Sequence, residues 1–174
     1  MKIIVCPLSK VEQMVAAHIP ERVVSLLDPD FDFPELGPAY GGRHLRLHFH
    51  DVHEGAPGQV APASSHIDQL LVFLERWQRS APLLIHCRAG IGRSTAAAFI
   101  AACVHNSDVE ERTIALELRR ASALARPNRV LVELADAAMG RNGRMARAIE
   151  DTGRNLQWHG VDENLPFEMQ VAAQ

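Results

Sequence analysis

Apolar positions recur along this chain with two periods, and the two alternate, which predicts strands and helices in turn. Lys2 to Cys6 reads as an opening strand. Ser9-Lys10-Val11-Glu12 has the form of a capping box and starts a helix through about His18. Arg22 to Leu27 is a second strand, and His44 to Phe49 alternates apolar and polar as a third. Between them, Asp28 to Gly42 holds three prolines and three glycines and reads as a long surface loop. Asp51 to Ala63 is a second loop, again rich in Gly and Pro. A helix then runs to Arg79, with Ile67, Leu70, Leu71, Leu74 and Trp77 on one face. Pro82-Leu83-Leu84-Ile85 is short, continuous and apolar, as a buried strand is.

The second half is helical. Arg93 to His105 is apolar on nearly every side (Ala96, Ala97, Ala98, Phe99, Ile100, Ala101, Ala102), so this helix is expected to be buried and, with such small side chains, close against a sheet. Asp108 with Glu111 caps a helix through about Ala121, and Arg126-Pro127-Asn128 breaks the chain. A further helix turns Val130, Leu131, Leu134 and Ala138 inward and ends at Gly140. Asn142-Gly143 leads into a short basic helix to about Glu150. Strands alternating with helices imply an α/β sheet covered on both faces. The expected organisation is a domain over 1–150 and a weakly patterned tail, 151–174, in which Trp158, Leu165 and Phe167 can dock on the body.

Composition narrows the function classes. A length of 174 residues supports one substantial core. The net charge of −3 gives no global attraction to nucleic acid or to an anionic membrane, so neither is expected as a partner. No stretch has the length of a membrane span, and the opening apolar segment is too short for a secretory leader. Three cysteines, at 6, 87 and 103, make no disulfide framework and suit a reducing cytoplasm. Cys6 and Cys103 are expected in the core.

The chemistry is concentrated in His86-Cys87-Arg88-Ala89-Gly90-Ile91-Gly92-Arg93-Ser94. This nonapeptide joins the fourth strand to the apolar helix, so it is a turn ending at a helix N-terminus. Unpaired backbone N–H groups there welcome an anion. Gly90 and Gly92 let the backbone take positive φ and close around a small ligand. The same N–H groups and the helix dipole favour the thiolate form of Cys87. Arg93 brings a planar fork that matches two phosphate oxygens. The chemistry written here is attack by a thiolate on phosphorus.

The motif resembles the signature loop of the cysteine-dependent protein phosphatases, His-Cys-x5-Arg-Ser/Thr, in their dual-specificity and bacterial tyrosine-phosphatase-like branch. The resemblance implies a three-layer fold with a central, mostly parallel sheet of four or five strands and helices on both faces. It implies that Cys87 is the nucleophile. Residues Arg88, Ala89, Gly90, Ile91, Gly92 and Arg93 would hold the phosphate, and Ser94 would ease departure of the thiolate. His86 would order the loop by hydrogen bonding. It further implies an aspartate general acid on a loop upstream of the cysteine. Asp51 fits: it follows the third strand directly, 36 residues before Cys87, ahead of a loop carrying Gly55, Pro57, Gly58 and Pro62. Glu54 is the reserve candidate, and Asp68 reads as a solvated helix residue. Asn128 resembles the Asn of a Pro-Asn pair in dual-specificity phosphatases and is expected to support a loop beside the pocket.

No metal and no cofactor is expected, since the loop, the dipole and Arg93 supply the positive charge. His48 and His50 share a strand face, as a metal pair would, but no Cys or second carboxylate has matching spacing. The expected substrate is a phosphorylated protein or a small phosphate ester. Strictly tyrosine-specific relatives carry a Lys-Asn-Arg-Tyr segment that deepens the pocket; here Tyr40 is the only tyrosine. A shallower pocket suits dual specificity. Inositol-phosphate and phosphoinositide enzymes usually place several basic residues in the loop, where this chain has Arg88 alone between Cys87 and Arg93. A non-catalytic phosphoprotein-binding module is the remaining alternative, and it would need a damaged site.

Overall fold

The computed structural model describes residues 2–153 and 162–170. Trp158, one of the residues expected to dock the tail, lies outside them. The strands are β1 (Lys2–Pro7), β2 (Arg22–Leu27), β3 (His44–His48), β4 (Leu83–Cys87) and β5 (Phe167–Gln170). They form one sheet in the order β3-β2-β4-β1-β5. β1 to β4 run parallel, and β5 pairs antiparallel with the edge of β1. The helices are α1 (Val11–His18), α2 (Ser64–Glu75), α3 (Arg93–His105), α4 (Glu111–Ala121), α5 (Arg129–Ala138) and α6 (Arg144–Gly153). This is the α/β architecture expected from the alternation.

Strand alternation sorts the core into two layers. Ile3, Val5, Val24, Leu26, Leu83 and Ile85 face α2, α3 and α4, with α5 and α6 packed on those helices. Ile4, Cys6, Val23 and Leu84 face α1 and Tyr40. Every residue of α3 from Arg93 to Cys103 is buried, as its all-round apolar pattern requires. The consequence for function is positional. Three neighbouring parallel strands, β3, β2 and β4, end at one edge of the sheet. The residues that follow them, Asp51, Asp28 and Arg88, are therefore brought together there.

Several local expectations are corrected. Ser9 does not cap α1: a 3-10 turn over Leu8–Lys10 leads into the helix, and the Ser9 hydroxyl donates instead to Glu163. Asp108 does not cap α4, whose N-cap is Glu110 without a side-chain bond; Glu111 is taken by Arg141 and Arg144. α2 stops at Glu75, short of Arg79, because the carboxylate of Glu21 gathers the N–H groups of Gln78 and Ser80 into a turn with Arg79 at φ 63°. On α5 Leu131 is buried and Leu134 packs against the core as expected, but Val132 and Ala135 are buried beside them while Val130 is only half-buried and Ala138 is exposed. In the C-terminal segment Phe167 packs against the core and Met169 is buried, whereas Leu165 is 77% exposed.

Candidate active site

β4 ends on Cys87, and the chain then turns through Arg88–Gly92 into α3. Gly90 takes φ 71°, and a Cβ there would lie 2.9 Å from the backbone nitrogen of Pro7, so the turn against β1 requires glycine; Gly92, expected at positive φ too, sits at φ −97°. Cys87 is buried at the base of the turn. Its Sγ accepts the Gly90 N–H at 3.2 Å and lies 3.1 Å from the Ser94 hydroxyl. Cys87, the loop and Ser94 thus meet as the nonapeptide suggests. Above them opens a cavity of about 440 Å³, bordered by Asp28, Asp30, His50, Asp51, Arg88 and Arg93 as well as Cys87.

Asp51 stands over the loop. A Cβ on Gly92 would come within 2.0 Å of Asp51 Oδ2, so the missing side chain is the space the carboxylate occupies. Asn128 Nδ2 donates to Asp51 Oδ1 at 2.7 Å and to the Val52 carbonyl at 3.3 Å. The Asn128 Oδ1 accepts the Leu131 N–H and caps α5. One side chain therefore fixes the start of α5 and the carboxylate over the cavity. Glu54 is exposed, and Asp68 is exposed on α2.

Arg93 is buried, and its fork is held from beneath. Nη1 donates to Asp28 Oδ1 at 3.0 Å and to the Phe49 carbonyl, and Nη2 reaches Asp28 Oδ2 at 3.4 Å. Nε is buried with no hydrogen-bond partner among the described residues, 4.0 Å from Asp51 Oδ2. Sequence reasoning missed Asp28. Its one signal is a carboxylate immediately after a strand, and reading it requires knowing that β2 lies beside β4. Arg88 lies over the Phe31 ring at 5.0 Å, so the Asp28–Gly42 loop forms one wall of the cavity mouth.

His86 points to the opposite face from Cys87 and is fully buried. Its Nε2 hydrogen-bonds the Ser25 hydroxyl at 2.5 Å, and that hydroxyl also meets His44 Nε2 at 2.6 Å. Burial, reinforced by His44, pushes His86 down to about 3, so the ring is neutral at physiological pH. His86 was expected to order the loop by hydrogen bonding; its Nε2 bond goes instead to Ser25, and sequence reasoning missed both Ser25 and His44. The other histidines are engaged elsewhere: His48 stacks on Phe33 at 4.1 Å and meets the Phe31 carbonyl, and His50 accepts the Val60 N–H. Among the described residues no three metal-ligating groups converge. Cys6 packs on the face away from Cys87, and burial pushes its thiol up to about 12. Burial likewise raises the Cys103 thiol.

A family model for PTP-like phytases, described by inositol hexakisphosphate, matches residues 56–105. No curated protein matches the chain in sequence. Among solved structures, a Cydia pomonella phosphatase, PTP-2, is 21% identical with a TM-score of 0.55, over 78% of this chain and 84% of its own. DUSP15 is 16% identical with a TM-score of 0.58, over 86% and 90% respectively. PTPMT1, solved in complex with PI(5)P, is 16% identical with a TM-score of 0.56, over 80% and 94%. These likenesses show a shared fold. The chain has the fold of the tyrosine and dual-specificity phosphatases, and it carries the signature loop at the carboxyl end of the central strand β4.

Proposed function

We propose that this protein hydrolyses phosphate monoesters through a phosphocysteine intermediate. The observation that carries the reading is the stacking of three groups around one cavity. Cys87 Sγ lies at the floor against the Gly90 N–H, Arg93 Nε, which makes no hydrogen bond among the described residues, is at the side, and Asp51 is held above by Asn128. In the first step the Cys87 thiolate forms a bond to phosphorus as the ester P–O bond breaks, and protonated Asp51 gives its proton to the leaving oxygen. The amides of the loop and Arg93 stabilise the charge on the transferring group. In the second step water attacks phosphorus and Asp51 takes its proton. The P–S bond breaks, and Ser94 donates a hydrogen bond to the departing thiolate.

The preferred substrate class is a phosphotyrosine- or dual-specificity protein substrate. Asp30 and Asp51 border the mouth together with Arg88, and Asp28 neutralises Arg93 from behind. The mouth thus carries no excess of positive charge for a ring bearing many phosphates. The match to the phytase family model favours a second reading, an inositol phosphate.

The test is turnover of phosphotyrosine peptide, phosphoserine peptide and inositol phosphates at equal concentration, by wild type and Cys87→Ser. Fastest hydrolysis of the phosphopeptides, abolished in Cys87→Ser while phosphate-ester binding persists, is the expected result. Faster hydrolysis of inositol phosphates moves the substrate to the second reading. Failure to turn over any of them returns the protein to the binding-module class.

A further inference from the structure

A loop that aims its N–H groups at an anion must aim its carbonyls the other way. Those outward carbonyls turn towards the surrounding protein, which must supply donors for those it shields from water. Following them one by one shows what holds the loop open. The Arg88 carbonyl accepts the Leu8 N–H at 3.1 Å, from the segment after β1. The Ile91 carbonyl accepts the Arg126 N–H at 2.9 Å, and the Gly92 carbonyl accepts the Asn128 N–H at 3.2 Å, both from the α4–α5 connection. The two carbonyls at the apex are served by one residue of the C-terminal segment. Asn164 donates its backbone N–H to Ala89 at 2.8 Å and its side-chain Nδ2 to Gly90 at 3.1 Å.

Asn164 is itself fixed. Only 6% of it is exposed, and its Nδ2 also donates to the Ser122 hydroxyl at 2.9 Å. On one side Glu163 accepts the Ser9 hydroxyl, and on the other β5 pairs along β1, with Met169 buried. The segment 162–170 is thus clamped at both ends with Asn164 between.

We infer that Asn164 is a positioning residue for the phosphate-binding loop, and that the C-terminal segment belongs to the phosphate cradle. It acts through the Ala89 and Gly90 peptide units. Tying down both carbonyls orients these units so that their neighbours' N–H groups face Cys87 and the cavity. The Gly90 N–H, which lies 3.2 Å from Cys87 Sγ, is part of the Ala89–Gly90 peptide whose carbonyl Asn164 holds through its own N–H. Removing the Asn164 side chain frees the Gly90 carbonyl and leaves the Ala89 carbonyl held by the backbone N–H alone, so the apex is less tightly oriented and both the thiolate and a bound phosphate lose aligned donors. The catalytic consequence rests on the phosphatase reading; the bracing itself does not.

The experiment compares wild type, Asn164→Ala and, as a control in the same segment, Leu165→Ala, whose side chain is exposed. Three quantities are read: the inhibition constant of orthophosphate against an aryl phosphate, the pH profile of Cys87 alkylation by iodoacetate, and hydrogen exchange of the amides at 88–92. For Asn164→Ala the expected result is phosphate inhibition weakened about tenfold, the worth of one or two lost hydrogen bonds. The alkylation profile should move to higher pH and the loop amides should exchange faster. Leu165→Ala should match wild type. Unchanged phosphate inhibition and an unchanged alkylation profile in folded Asn164→Ala would overturn the inference.

If Asn164→Ala does not fold, wild type alone decides. Saturating orthophosphate should slow exchange of the Asn164 amide, because a ligand that favours the braced loop must by linkage favour the brace. No slowing overturns the coupling. If wild type neither hydrolyses aryl phosphates nor binds phosphate, the phosphatase reading fails. The loop amides of Asn164→Ala and Asn164→Asp then test the brace by themselves, and exchange rates equal to wild type would sink it.

Discussion

At the scale of single residues, the site divides by sequence distance. Cys87, Arg93 and Ser94 stand within one turn and its helix, so spacing alone announces them. Asp51 was legible from its place after a strand and before a Gly/Pro-rich loop. Asp28 and Asn164 were not legible, because their partners lie 65 and 74 positions away and a single Asp or Asn has no local signature. Asp51→Asn should lower kcat by about 10²–10⁴, the usual worth of a positioned general acid. The loss should be greatest for alkyl phosphates and phosphotyrosine and smallest for activated aryl esters, whose leaving group hardly needs a proton. A leaving-group series including Glu54→Gln checks this; a leaving-group-dependent loss in Glu54→Gln alone would move the acid role there. Asn128→Asp separates the two duties of Asn128. It keeps an acceptor for the Leu131 N–H but replaces the donor to Asp51 with a like charge. Its kcat for alkyl phosphates should therefore fall at least tenfold, and its melting temperature should fall too because the new carboxylate is buried against Asp51; kcat is compared at a temperature where both proteins are folded. Equal activity would show that Asp51 needs no tether.

At the scale of elements, periodicity found most of the helices and capping found their starts less well. Both expected boxes failed because the residues had better partners far away: Glu163 for Ser9, Arg141 and Arg144 for Glu111. The opposite case is α6, whose start no local box marks. Asp136, buried on α5, accepts the N–H groups of Gly143, Met145 and Ala146 and so caps the neighbouring helix across the turn. Its negative charge also sits at the positive end of α6. Asp136→Ala should cost about 2 kcal/mol, the upper range for a lost cap, because several donors are orphaned together in a buried place. Asp136→Asn keeps one acceptor and should lose less. Urea denaturation of both variants measures the difference. An Asp136→Ala midpoint equal to wild type would mean that water replaces the cap.

At the scale of the whole molecule, the alternation of strands and helices was readable but the strand order β3-β2-β4-β1-β5 was not. A period-two run says which face is buried and nothing about which strand lies beside it. β5 escaped notice for a related reason: it is four residues long and takes its stability from the edge of β1. That same order builds the link His44–Ser25–His86 across β3, β2 and β4, on the face behind the loop that follows Cys87. Burial, with Arg46 nearby, pushes His44 down to about 4, and burial with His44 pushes His86 to about 3. An unfolded chain restores both to their ordinary value near 6.5. Between those limits the unfolded state holds more protons than the folded one, so acid favours unfolding. Stability should be fully present above pH ~6.5 and should fall as the pH drops towards 4. The slope is at most about 1.4 kcal/mol per pH unit for each histidine held neutral. His86 should approach that limit, and the half-buried His44 should contribute less because water screens it. Urea midpoints taken from pH 7.5 down to 4.5 (roughly the window in which a histidine charges) should therefore decline in wild type. They should decline less steeply in His44→Gln, which removes one of the two groups while keeping a donor for the Ser25 hydroxyl. Parallel declines in the two proteins would show that His44 is not held neutral, and would leave the acid sensitivity to His86 and the carboxylates.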